Sequence, residues 1–80
     1  MPKTSERDAI VARLIDLLRS ERLRQELSLN EVATRAGLSH TMVSRVEKRQ
    51  RMPTIDTLLR ISEALNVDLG VVLRKAIQDG

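Results

Sequence analysis

"GLSHTMVSRVE", Gly37 to Glu47, joins a turn residue to a hydroxyl and then to apolar residues at helical spacing. Gly37 can adopt the left-handed backbone that closes one helix. Ser39 suits the N-cap of the next. At 3.6 residues per turn, Leu38, Val43 and Val46 share one side. His40, Thr41, Ser44, Arg45 and Lys48 share the other. Such a helix is either half of a buried hairpin or a surface presented to something outside, and its neighbours decide between the two.

Just upstream, "SLNE" (Ser28 to Glu31) forms a capping box that opens a helix carrying Val32, Ala33 and Ala36. Just downstream the chain turns basic. Between His40 and Arg51 it has Arg45, Lys48, Arg49 and Arg51 against the single acid Glu47, which accounts for the net charge of +3 of all 80 residues. Elsewhere acids and bases cancel. A solvated loop is the ordinary reading of a charge cluster, but this one follows directly on a polar-faced helix.

The remaining pattern is helical. A first helix is expected over about 6–25, opened by Ser5 with Asp8 as a capping-box-like acid, and carrying Ile10, Leu14, Leu17 and Leu18. Its end is poorly marked, because neither Gly nor Pro precedes the next start. The third helix covers about 40–48. Pro53 and Thr54 announce a fourth with Ile55, Leu58, Leu59, Ile61 and Leu65, which Asn66 ends. Asp68 caps a fifth, "LGVVLRKAIQD". There is no internal repeat or linker. The reading is a single all-α domain over 1–80, a compact five-helix structure.

Composition narrows the function. A chain of this size buries only about 60% of its unfolded surface, and without Cys, Phe, Tyr or Trp its core must be aliphatic. No disulfide or thiolate metal site can form, and no unpaired base can stack on an aromatic ring. The sole histidine, His40, cannot build a zinc site. Its adjacency to Ser39 does not make a catalytic pair either, since helical neighbours diverge by about 100° and no carboxylate lies near to orient the ring. No enzyme, cofactor or metal is expected. The start "MPKTSERDAIVARL" lacks a signal peptide's order, and no apolar run approaches a membrane span. A cytoplasmic protein is the expectation.

Two helices joined by a tight glycine turn define a helix-turn-helix unit. Ala33 supplies the small residue where the helices cross, Gly37 the turn, Leu38 its apolar plug, and Val43 and Val46 the inner face. From about Leu18 to Leu73, "LSLNEVATRAGLSHTMVSRVEKRQRMPTIDTLLRISEALNV" resembles the phage-repressor and Cro-like (XRE-type) domains. The resemblance implies a lambda-repressor-like fold whose third helix enters the DNA major groove, helices 2 and 3 being the helix-turn-helix. It places base contacts at His40, Thr41 and Arg45 with Ser44 beside them, and phosphate contacts at Ser39, Lys48, Arg49 and Arg51. It pairs Arg22 with Glu47 as a structural ion pair. Two departures stand out. Leu29 occupies a place where many members have a phosphate-touching glutamine, and Arg49 one where many have glycine.

The expected function is that of a sequence-specific regulator of transcription, binding double-stranded DNA through phosphate neutralisation and helix-three readout. Arg45 has the position for a bidentate bond to guanine O6 and N7; a phosphate contact and a solvated side chain are its alternatives. Met42 is expected to pack at the core's edge. The rival is a protein-interaction module, antitoxin-like or adaptor-like, whose basic face holds an acidic protein. A homodimer on a palindromic operator is expected, with Ile10, Val11 and Ile15 of helix one or Val71 and Ile77 of helix five as its surface. Leu69, Leu73 and Ala76 are expected to serve the domain's own core. Domains of this kind often precede a ligand-sensing one, so the chain can be the N-terminal part of a larger regulator.

Overall fold

The computed structural model describes residues 4–79, with side chains from residue 6 onward. Five helices follow one another: α1 (Thr4–Arg24), α2 (Leu29–Ala36), α3 (His40–Glu47), α4 (Ile55–Ala64) and α5 (Leu69–Gln78). The fold is all-α, as expected. α1 packs along α5 and touches α3, while α2 packs on both α3 and α4. Leu14, Ile15, Leu18, Val32, Ala33, Ala36, Val43, Val46, Leu58, Ile61, Ala64, Leu65 and Ala76 form the aliphatic core.

Local chemistry sets the helix starts. The Ser28 and Glu31 capping box is complete, and the hydroxyls of Ser39 and Thr54 accept from the amides of Met42 and Thr57. The Asp68 carboxylate accepts from the amides of Gly70 and Val71. α1 departs from expectation. It already includes Thr4, so Ser5 lies inside the helix rather than at its cap.

The helix ends share one device. Four residues take left-handed backbone: Glu26 (φ 59°), Gly37 (φ 69°), Arg49 (φ 59°) and Asn66 (φ 60°). After each, the next amide reaches five residues back, as in Leu27 to Arg22, Leu38 to Ala33, Gln50 to Arg45 and Val67 to Ser62. This is the Schellman closure, in which an apolar residue normally follows the left-handed one and packs back on the helix. Leu27, Leu38 and Val67 do so against the core. Gln50 is polar and exposed, so the closure of α3 lacks the apolar seal of the other three.

The buried stripes differ from expectation in register. In α1, Leu14, Ile15 and Leu18 are buried while Ile10 and Leu17 are only half-buried. The stripe continues to Arg22, buried because its charge is paired. In α4, Ile55 and Leu59 face solvent and Ser62 takes a core place. Its hydroxyl lies 2.9 Å from the carbonyl of Leu58 and 3.0 Å from that of Leu59, which removes the cost of burying it. In α5, Val72 rather than Leu73 packs inward beside Leu69 and Ala76. Arg13 of α1 donates from Nε to the Ala76 carbonyl at 2.7 Å, tying the first half of α1 to α5.

Candidate nucleic-acid interface

The turn between α2 and α3 is fixed from both sides. Gly37 closes α2, its amide donating to the Thr34 carbonyl at 3.3 Å, and the Leu38 amide donates to Ala33 at 2.9 Å. Arg60 of α4 reaches the Ala36 carbonyl through Nη1 at 3.3 Å, while Asp56 holds its Nε at 2.8 Å. A side chain at residue 37 would meet that guanidinium and would also be strained by the positive φ.

From this turn α3 runs for 8 residues, about 12 Å at 1.5 Å per residue. Val43 and Val46 are buried beneath it, and Met42 packs half-buried at the core's edge as expected. His40, Thr41 and Arg45 are exposed on the opposite side, and Ser44 is half-buried beside them. Ser39 uses its hydroxyl oxygen on the Met42 amide at 3.0 Å, which leaves the hydroxyl proton available to an acceptor outside. Lys48, Arg49 and Arg51 follow, all exposed.

Glu47 would place a negative charge within this basic region. Arg22 holds it by two parallel bonds, Nε to Oε2 at 2.7 Å and Nη2 to Oε1 at 2.9 Å. The third edge of the guanidinium donates to the Leu27 carbonyl at 2.8 Å, just beyond α1. The two side chains are only 11% and 12% exposed. The pair therefore joins the end of α3 to the end of α1, and its carboxylate is matched by a buried partner. A further cation escaped the sequence reading. Arg19, one turn earlier on α1, brings Nε to 3.7 Å from Glu47 Oε1 while remaining 54% exposed. Its spacing of three from Arg22 was the available signal.

Two carboxylates elsewhere on the frame are acidified by local bonds. The Glu21 pKa falls to about 2, first through the hydrogen bond from Arg24 and then through that from Gln25. Gln25 also donates to the Leu65 carbonyl at 2.7 Å, linking the ends of α1 and α4. Glu31 is lowered by the backbone and side chain of Ser28, its partner in the capping box. Among the described residues no group of three His, Asp or Glu side chains is placed to hold a metal ion. Among the described residues no helix is long and apolar enough to cross a membrane.

The surplus apolar surface lies partly where it was expected. Val71 (44% exposed) and Ile77 (52%) stand out from α5. Ile15 does not qualify: at 3% exposure it belongs to the core, because the buried stripe of α1 takes in Ile15 with Leu14 and Leu18 in place of Ile10 and Leu17. Ile10 and Val11 are half-buried against that core. The more exposed apolar residues are Met52 (66%) and Ile55 (67%), with Leu59 and Leu73 also open. Val11, Met52, Pro53, Ile55, Leu69 and Leu73 line an apolar groove between α1, the α3–α4 connection and α5.

This arrangement, a glycine-closed helix pair with the second helix presented outward, defines a helix-turn-helix protein. Residues 18–72 match the helix-turn-helix family, and the chain belongs to it as an XRE/Cro-like domain. It is 36% identical over 59 residues to an uncharacterised HTH-type transcriptional regulator of Mycobacterium tuberculosis, covering 74% of this chain and 42% of that one. The chain thus spans less than half of that regulator's length. It is 34% identical over 62 residues to the ImmF control region 10 kDa protein of Bacillus phage phi105, covering 78% and 69%. The restriction-modification controller protein C.Esp1396I has the same fold, with a TM-score of 0.77 at 23% identity over 89% of this chain and 96% of that one. ClgR from C. glutamicum also shares it, with a TM-score of 0.76 at 24% identity over 88% and 91%.

Proposed function

We propose that the domain is the DNA-reading unit of a transcriptional regulator and binds double-stranded DNA by sequence. One observation carries this reading: α3 turns His40, Thr41 and Arg45 to solvent with Ser44 beside them, and the basic run Lys48, Arg49 and Arg51 follows directly. An α-helix, about 10–12 Å across with its side chains, fits a major groove about 12 Å wide. His40, Thr41 and Arg45 then face base edges with Ser44 beside them, and Ser39, Lys48, Arg49 and Arg51 face phosphates.

The working form is a homodimer on a roughly palindromic site. Specific binding exceeds non-specific binding by about 4–10 kcal/mol, and each base pair read contributes about 1–3. Three or four readers on one subunit, at about 1 kcal/mol each, reach only about 3–4 kcal/mol, the bottom of that range. Two subunits about 34 Å apart double both readers and phosphate contacts. The surface favoured for pairing is the apolar face of Met52, Ile55 and Leu73 with Val71 and Ile77 of α5, because Met52, Ile55 and Leu73 line one apolar groove and all five are exposed. Val11 contributes at the groove's edge.

Selection from a random duplex library, followed by titration across salt concentrations, tests the function. A consensus with two half-sites is expected. With about six phosphates neutralised by the dimer, log K against log salt should slope near −5. Absence of sequence preference, or a slope shallower than about −2, would remove this reading. Sedimentation of the native protein and of Ile55→Glu tests the pairing surface, and a native monomer both free and on the full site would refute the dimer.

A further inference from the structure

We infer that Arg19, an α1 residue outside the helix-turn-helix unit, binds a DNA backbone phosphate together with Ser44 and Lys48; this rests on the DNA-binding reading above. Arg19, Arg22, Leu29, Ser44, Glu47 and Lys48 line one open hollow where the side of α1 meets the start of α2 and the second half of α3. Its charges are unequal. Arg22 satisfies both oxygens of Glu47 at 2.7 and 2.9 Å, so that pair is closed. Arg19 approaches the same carboxylate only to 3.7 Å and is 54% exposed. That distance exceeds a charge-assisted hydrogen bond of about 2.7–2.9 Å, so the guanidinium gives up little when it turns outward.

What is left facing the opening is therefore two cations, Arg19 and Lys48, and one hydroxyl, Ser44. Leu29 forms the opposite wall and has no side-chain hydrogen bond to offer, so the polar contacts must come from α1 and α3. A guanidinium, an ammonium and a hydroxyl around one opening suit a monoanionic phosphodiester, and an Arg fork can take both of its non-bridging oxygens. Ser44 is half-buried, unlike exposed His40, Thr41 and Arg45. Ser44 lines this hollow, where it meets the backbone rather than a base edge. α1 would then press on the same strand that α3 reads, fixing how deeply α3 sits.

The test compares native protein, Arg19→Ala, Arg19→Lys and Ser44→Ala on the selected duplex and on a scrambled duplex over a range of salt. Arg19→Ala should weaken both duplexes by a similar factor and make the salt slope shallower by about 1 per subunit. Arg19→Lys should keep most of the slope, and Ser44→Ala should lower affinity for both duplexes alike. Thermal melting should be unchanged in Arg19→Ala, because Arg22 still holds Glu47. A slope equal to the native one, or a melting loss as large as that of Arg22→Ala, would overturn the phosphate role and leave DNA binding standing. Native protein without salt-dependent duplex binding would overturn both.

Discussion

Replacing Arg22 with alanine should be the most damaging single change on the polar side of the domain. The guanidinium makes three bonds at once: two to Glu47 and one to the Leu27 carbonyl. Removing one partner of a buried ion pair costs about 3–5 kcal/mol, since the remaining charge is stranded. Here Glu47 keeps 12% exposure and has Arg19 at 3.7 Å, so the lower end applies, about 3 kcal/mol. Against an expected stability of about 4–12 kcal/mol for a chain of this length, that is a large share. For a small domain each kcal/mol shifts Tm by about 4–8 °C, so a loss of about 12–24 °C is expected in a thermal melt followed by circular dichroism. A drop below about 4 °C would refute the reasoning. The double variant Arg22→Met, Glu47→Leu separates pair from charge: it should regain much of the loss, because apolar substitutes avoid the desolvation that the pair must offset. Equal destabilisation in the single and double variants would show that the Leu27 contact or the shape of the side chain matters more than the charge.

Arg45→Ala should weaken operator binding by about 1–3 kcal/mol and relax preference at one base position; equal weakening on every duplex would reassign it to phosphate. Arg49→Gly should raise stability by about 1 kcal/mol, because a side chain at φ 59° carries left-handed strain, while DNA affinity falls with the lost charge. Melting and titration of that variant must move in opposite directions. Acid should destabilise the fold through Glu21. Its folded pKa is lowered from 4.5 to about 2 by Arg24 and Gln25, so its contribution is complete above about 4.5 and disappears as pH falls towards 2. Glu31, lowered by Ser28, acts in the same sense. Glu21→Gln should therefore show a shallower loss of Tm across that window, and an unchanged acid profile would count against the Glu21 contacts.

The starts of α2 to α5 were legible because their chemistry is local. Ser28 with Glu31, Ser39, Thr54 and Asp68 each cap within a few residues of themselves. Gly37 was legible for the same reason. Packing register was not. In α1, Ile10, Leu14, Ile15, Leu17 and Leu18 offer more than one plausible stripe, and only the position of α5 and α3 selects Leu14, Ile15 and Leu18. Ser62 was hidden because its burial depends on carbonyls one turn away being free to accept. The end of α1 was unreadable because Glu26 takes a conformation that its side chain does not advertise. At the candidate interface, the outward side of α3 followed from helical periodicity alone, but the approach of Arg19 required the fold, since α1 and α3 are far apart in sequence.

The residues that hold α3 are not those proposed to meet the bases. Val43 and Val46 bury it, Ser39 caps it and Glu47 anchors its end to α1. His40, Thr41 and Arg45 stand clear of all four. Mutation can thus explore new operators along one side of a helix without drawing on the free energy that keeps the helix in place. A lineage built on this frame can diverge into regulators that ignore one another's sites, each change of address being written in a few side chains while the rest of the chain stays as it is.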